Sequence, residues 1–278
     1  MKIFKYIPFL LVMFVLASAT GQSSLSSYAG DESDLYAQTK QVNQFFKRFN
    51  NEEDRFGKAY APDDKNYRDN EFRKTYLNML FDNQSPLIDM ELKKEFIKTV
   101  CSEDQAQFLS FHGDLWFAEL ATTFTYNNKK ENPILFLQIE AENLGYKWVI
   151  TNVYFDKFLK YFNKGEKEVI EKSFLHPMSH ELDFMNIYKV FKDPRYAEYY
   201  ADKDFRPDYK TLLFYEVKKG NMEYVSAGNL KFHFFQVDGW YFELSYFNRP
   251  GPNSGWLISK LYKLSEKEKN QLLQFYLP

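Results

Sequence analysis

A single cysteine, Cys101, stands in 278 residues, so no intrachain disulfide can form. Charge of one sign is also missing: 36 Lys and Arg against 38 Asp and Glu leave a formal −2. A balance that close to zero gives no electrostatic case for a nucleic-acid partner. Beyond the N-terminus the apolar stretches are short and punctuated by charge, and none approaches the roughly 20 apolar residues of a membrane helix. Nucleophile motifs are absent, with no G-x-S-x-G and no S-x-x-K. No P-loop or G-x-G-x-x-G is present either, so nucleotide binding has no support.

What is present begins with an export pattern. Lys2 and Lys5 form a short basic region, Ile7 to Leu16 an apolar stretch, and Ala17-Ser18-Ala19 a cleavage signal of A-x-A type. Residues 1–19 therefore read as a signal peptide, and removing them from 278 would leave 259 at a charge of −4. No lipobox cysteine follows, which argues against a lipid anchor. An exported chain without disulfides must rely on a packed core, and this length is ample for one. Eukaryotic secretion more often brings cystine bridges, so the expectation is a periplasmic or secreted bacterial protein with no integral membrane span in the mature chain.

Aromatic side chains are abundant: 29 Phe, 21 Tyr and 4 Trp make up 19% of the chain. Such residues suit half-buried pleated surfaces, or a surface that stacks on a ligand. Residues 20–33 read as a flexible lead. Apolar residues at helical spacing then predict helices over about 34–50, 68–81 and 89–100. Alternation takes over in Phe117 to Tyr126, Ile134 to Ala141 and Trp148 to Phe155, which predicts an antiparallel meander. Residues 158–174 are charged and read as a connection.

The order then repeats. Ser179 can cap a helix containing Leu182 to Phe191. Strands are expected at Thr211 to Val217, Met222 to Val225, Leu230 to Val237 and Trp240 to Phe247. The Asp238-Gly239 pair between the last two predicts a two-residue type I′ hairpin. A last strand, Trp256 to Leu264, leads to Ser265 and Glu268, a capping box opening a terminal helix. The segments 145–154 and 254–262 share a glycine turn, a Trp, aliphatic residues and a Tyr. The expected organisation is a first α+β module at 34–165 and a second at 166–278, the likeness being either a duplication or the resemblance of any two amphipathic strands in a Tyr- and Lys-rich chain.

No residue is assigned to catalysis, cofactor binding or metal ligation. His176 and His180 stand four apart beside Glu181, but Pro177 and the cap at Ser179 place His176 outside the helix, so they do not form a zinc pair. His112 precedes Gly113-Asp114 and reads as a turn residue. His233, next to Lys231, falls on the less buried face of its strand. Cys101 has acidic neighbours, which raise a thiol's pKa. Asp202, Asp204 and Asp208 are interrupted by Arg206 and Pro207 and lack a calcium-loop pattern. Glu119, Glu140 and Glu243 lie in expected strands, where a carboxylate on a concave face can act as a general acid or base.

Helices followed by an aromatic antiparallel meander, with a final strand opening on Trp256-Leu257-Ile258, resemble the NTF2-like (cystatin-like) α+β cone. The residues that carry this are the helices near 34–50 and 68–81, the strands 117–126, 134–141 and 148–155, and their counterparts after 180. The single cysteine and the Tyr-, Asn- and Lys-rich composition are similar to exported Bacteroidetes proteins. The resemblance implies N-terminal helices on a curved sheet. It implies no activity, because such cones host both enzymes and binding modules. The Asp/His pairs of the family's isomerases and dehydratases are not recognisable. The leading expectation is an exported, non-catalytic protein that binds a small ligand, glycan or envelope protein on an aromatic sheet face or pocket. The alternative is a hydrolase or isomerase with an acid/base pair, and it requires groups such as His233 and Glu243 in one enclosed place.

Overall fold

The computed structural model describes residues 42–54, 56–143, 145–162, 175, 187–251 and 253–277. The expected signal peptide, the flexible lead, the first turns of the helix at 34–50, and His176, Ser179, His180 and Glu181 lie outside the described residues. Those described fall in one compact unit.

Helical residues 42–50 form α1. Helix α2 (Asn70–Met79) starts where the Asp69 carboxylate accepts the N–H groups of Glu71 and Phe72. Helix α3 (Met90–Val100) starts the same way on Asp89, with Glu91 and Leu92. The apolar stripes are the signals that predicted both helices, and the two caps fix where they start. The buried Arg73 guanidinium ties the three together. It donates to the carbonyls of Phe49 (3.1 Å), Val100 (3.3 Å) and Gln107 (2.5 Å) and to Asn70 Oδ1 (3.0 Å), beneath the Phe108 ring at 4.2 Å.

The strands are β1 (Trp116–Tyr126), β2 (Lys129–Glu131), β3 (Ile134–Glu142), β4 (Gly145–Tyr154), β5 (Met222–Phe234), β6 (Trp240–Phe247) and β7 (Gly255–Lys263). They form one sheet in the order β4-β3-β1-β5-β6-β7, with β2 paired to β1, and every neighbouring pair is antiparallel. The protein is thus α+β. Strands from both sides of residue 165 meet at the β1–β5 pair in the middle of that sheet. The two segments with similar Trp patterns are β4 and β7, at its opposite edges.

Period-2 alternation sends the two parities of each strand to opposite faces. Trp116, Phe232, Phe234, Trp240 and Phe242 lie on one face, under Phe45, Phe46 and Phe49 of α1 and Phe96 of α3. Phe234 and Phe242 stack at 4.8 Å and 3° across the β5–β6 pair, and Phe49 lies on Phe242 at 6.0 Å and 10°. This aromatic layer is the main core. A second cluster, including Phe124, Leu135, Val153, Phe158 and Leu213, fills the space under helix α4 (Asp156–Leu159) and helix α6 (Tyr209–Lys218). Between them lie helix α5 (Tyr188–Lys192) and a 3-10 segment, Pro194–Tyr200. Helix α7 (Glu266–Tyr276) carries the expected capping box, with Ser265 and Glu268 serving each other's backbone. No helix among the described residues is long and apolar enough to cross a membrane.

Three local expectations are corrected. Thr211 to Val217 is not a strand: it lies in α6, which Asp208 caps by accepting from the N–H groups of Lys210 and Thr211. A short apolar run fits either period, and here the cap decides. Met222 to Val225 and Leu230 to Phe234 are one strand, because β1 pairs along the whole length and absorbs the irregular stretch in two register shifts. The Asp238-Gly239 turn is not type I′. That type needs positive φ at both central residues, and of this pair only Gly239 has it, at +75°. Strand pairing already ends at Phe234 and Phe242, since the Phe235 N–H donates instead to the Leu115 carbonyl at 2.8 Å.

Candidate functional site

The opposite face of the same sheet has a different character. Glu119 of β1, Lys231 and His233 of β5, Tyr241 and Glu243 of β6 and Lys260 of β7 come together there. The register makes this unavoidable: Phe117 is opposite His233, Glu119 opposite Lys231, His233 opposite Glu243, and Glu243 opposite Lys260. His233 is 1% exposed and Glu243 3%, so the expectation of a less buried face for His233 is overturned. Lys231 does share that face, and its side chain is 12% exposed between Glu119 and Glu243.

The imidazole is engaged at both nitrogens. Nε2 lies 3.0 Å from Glu119 Oε2 and Nδ1 lies 2.8 Å from the Tyr241 hydroxyl. Nε2–H donates to the carboxylate in either charge state. Nδ1 accepts from the Tyr241 hydroxyl when the ring is neutral and donates to it when the ring is charged. Burial raises the Tyr241 pKa well above its ordinary value, with the Tyr276 phenol and the Glu243 and Glu119 carboxylates adding to it, so the phenol keeps its proton. Phe117 stacks on the ring at 4.8 Å and 14°, and Tyr276 of α7 leans on it at 5.3 Å and 34°.

The charges form an alternating row. Glu243 accepts from Lys260 Nζ at 3.3 Å and from Ser259 Oγ at 3.3 Å, and Lys231 Nζ lies 3.8 Å from Glu243 and 4.0 Å from Glu119. Burial alone would raise the Glu119 carboxyl. The hydrogen bond and charge of His233, with Lys231 and Lys260, outweigh it and hold the pKa at about 2.

Chemically, this is a closed set. A general base needs a nitrogen within reach of a substrate proton, and His233 has both nitrogens occupied and is buried. The paired groups His233 and Glu243 meet the proximity that an acid/base enzyme requires, but in this conformation they lie in packed protein and not against open space.

The other residues singled out in the sequence stand apart from this set. His112 sits in a turn, as expected, and its ring stacks on Tyr146 at 3.9 Å and 26°. Cys101 is buried at the end of α3, and burial pushes its thiol pKa up. Asp208 caps α6, and Asp202 accepts from the Asp204 N–H. Among the described residues, no group of three or more His, Cys, Asp or Glu could hold a metal ion. Glu140 is exposed on β3.

Aromatic side chains come to the surface mainly elsewhere. At the β4 edge Tyr146 is 54% and Trp148 37% exposed, on one parity of the strand. Trp148 meets Trp116 edge-on at 5.6 Å, and Trp116 stacks on Phe234 at 5.5 Å and 11°, so the surface ring is braced from the core. The opposite edge is covered. There β7 receives the segment at Phe81, with the Ile258 N–H donating to the Leu80 carbonyl at 2.7 Å and the Asp82 N–H donating to the Ile258 carbonyl at 3.0 Å. On the outer side of β4 no strand pairs among the described residues.

Sequence reasoning named His233 and Glu243 together and put Tyr241 on the face of Glu243 and Lys231 on that of His233, but it did not join Glu119 or Lys260 to them. A signal was available in part: the alternations Lys231-His233 and Tyr241-Glu243-Ser245 each place polar groups on a single parity. Nothing local paired β1 with β5.

Comparison with known protein families, curated proteins and solved structures found no match for this chain.

Proposed function

We propose that the chain is an exported, non-catalytic binding protein with an NTF2-like (cystatin-like) α+β architecture. Its ligand or protein partner would rest on the aromatic surface of β4 formed by Tyr146 and Trp148. One contrast carries this reading. The titratable cluster around His233 is internally paired and packed, whereas Tyr146 and Trp148 face outward on a strand with an unpaired outer side among the described residues. Exposed rings held rigidly from below are suited to stacking on a sugar or to packing against a partner. Support for the NTF2-like part is the chain order, helices first and then antiparallel strands on which α1 and α3 pack. Support for export is the N-terminal pattern, and a periplasmic or secreted location follows from it. If the two modules arose by duplication, both copies contribute strands to a single sheet.

The test is a titration of the mature chain with soluble oligosaccharides, peptides and small aromatic ligands, read by tryptophan fluorescence. A saturable change in the native chain is expected, lost in the Tyr146→Ala/Trp148→Ala variant with the far-ultraviolet circular dichroism unchanged. The second reading, a hydrolase or isomerase, rests on the proximity of His233 to Glu119 and Glu243. Saturable turnover of chromogenic esters or glycosides, insensitive to the β4 variant, would replace the binding proposal with it.

A further inference from the structure

Helix α7 lies over the polar face, and its attachment is thin. Only Lys269 and Tyr276 of its residues are buried, while Leu272, Leu273 and Phe275 are half-buried. One end is joined to β7 through Leu264 and Ser265. The other end is held at two points. Asn152 Nδ2 donates to the carbonyls of Phe275 and Tyr276, both at 3.2 Å, and the Tyr276 ring packs on Phe117 (5.1 Å), Phe136 (5.4 Å) and His233 (5.3 Å). The Tyr276 hydroxyl also shares a hydrogen bond with Tyr241.

What lies beneath is unusual for the underside of a helix. The Tyr276 ring rests on Phe117, Phe136 and His233 with the Tyr241 hydroxyl beside it, so the floor mixes rings with groups that water can solvate. Removing a helix from an apolar floor exposes oil to water at a cost proportional to area. Removing α7 from this floor uncovers the Phe117 and Phe136 rings at such a cost, offset in part where water reaches the His233 imidazole and the Tyr241 hydroxyl. The α1–α3 side offers no such relief, because its floor is Phe234, Phe242 and Trp240.

From these contacts we propose that α7 is a hinged cover: it opens as a unit about Leu264–Ser265 when Tyr276 leaves its ring pocket, and presents the Glu119–His233–Glu243 face to solvent while the sheet stays intact. The closed set seen at His233 is then the shut state of a gated surface. Opening breaks the Tyr276–Tyr241 and Asn152 hydrogen bonds and no strand pairing.

The experiment uses the full chain. Native-state hydrogen exchange, read by mass spectrometry across low urea concentrations, is compared with labelling of His233 by diethyl pyrocarbonate, located by peptide mapping. Local opening predicts that the α7 amides exchange at least about 100-fold faster than those of β6, with little dependence on urea. His233 labelling should follow the α7 amides. Tyr276→Ala should speed His233 labelling about tenfold while β6 protection changes much less. Labelling of His233 in step with the β6 amides would overturn the proposal, as would α7 and β6 exchanging together. If the Tyr276→Ala chain does not fold, the native-chain comparison decides alone.

Discussion

Replacing Glu119 with Gln gives a direct measure of the charge held on the polar face. The amide has the size of the carboxyl and keeps an oxygen that can accept from His233 Nε2–H, so the steric fit and that hydrogen bond are kept. What is removed is the negative charge. A carboxyl whose pKa falls from 4.5 to about 2 on folding stabilises the fold by about 3 kcal/mol at neutral pH. Its folded pKa is depressed, so the contribution is complete above pH 4.5 and is lost as pH falls from there toward 2. Glu119→Gln should therefore be less stable than the native chain by about 3 kcal/mol at pH 7, or roughly 6–12 °C in Tm for a chain of this size. That difference should shrink through pH 4 and 3 and nearly vanish near pH 2. Urea unfolding followed by tryptophan fluorescence at pH 7, 5, 4, 3 and 2.5 measures it. Titrating groups other than Glu119 and its partners His233, Lys231 and Lys260 are common to both chains and cancel in the difference. A difference that stays constant over this range, or no difference at pH 7, would show that the His233 pairing does not hold the Glu119 charge.

Arg73→Met should cost about 2–6 kcal/mol in urea unfolding, because the Phe49 and Gln107 carbonyls lose their guanidinium donor at roughly 1–3 kcal/mol each, while the Val100 carbonyl keeps the Gln107 N–H. Arg73→Lys should recover only part of this, since one ammonium cannot serve acceptors on α1, α2 and the chain after α3 together. Phe242→Ala should lose about 3–5 kcal/mol, measured by thermal melting, because the ring contacts Phe234, Phe49 and Phe96 and the sheet cannot close the gap. Ser265→Ala should cost about 1 kcal/mol. It should also speed hydrogen exchange in α7 while leaving β6 unchanged.

Much of the local structure was legible before any coordinates. Helices α2 and α3 were announced by apolar residues three and four apart. The capping box at Ser265 and Glu268 was read as it forms, and β1, β3 and β6 were bounded nearly to the residue. The failures have a common cause. Thr211 to Val217 fits both a strand and a helix, and Asp208 with Pro207 before it was the cap signal that should have decided. The Asp-Gly pair was read as a local rule, but the Phe235 backbone pairs with Leu115, more than a hundred residues away, and so leaves the hairpin. The candidate site failed in the same way. His233 next to Lys231 looked like an outer strand face because the residues that cover it come from β1, β6 and α7.

By itself, then, the sequence determined the alternation of helix and strand, the aromatic character of the core, and the need for a packed fold without disulfides. These follow from residue periodicity, capping chemistry and composition, all of which act over a few neighbouring positions. Only the tertiary structure decided that β1 pairs with β5. That pairing joins segments about a hundred residues apart into one sheet, sets Glu119 against His233, and gives one face to phenyl rings and the other to paired charges. It also decided that β7 is covered while Tyr146 and Trp148 on β4 remain at the surface. Strand order depends on contacts between distant segments, and no local pattern of side chains specifies which strand will be the neighbour of which.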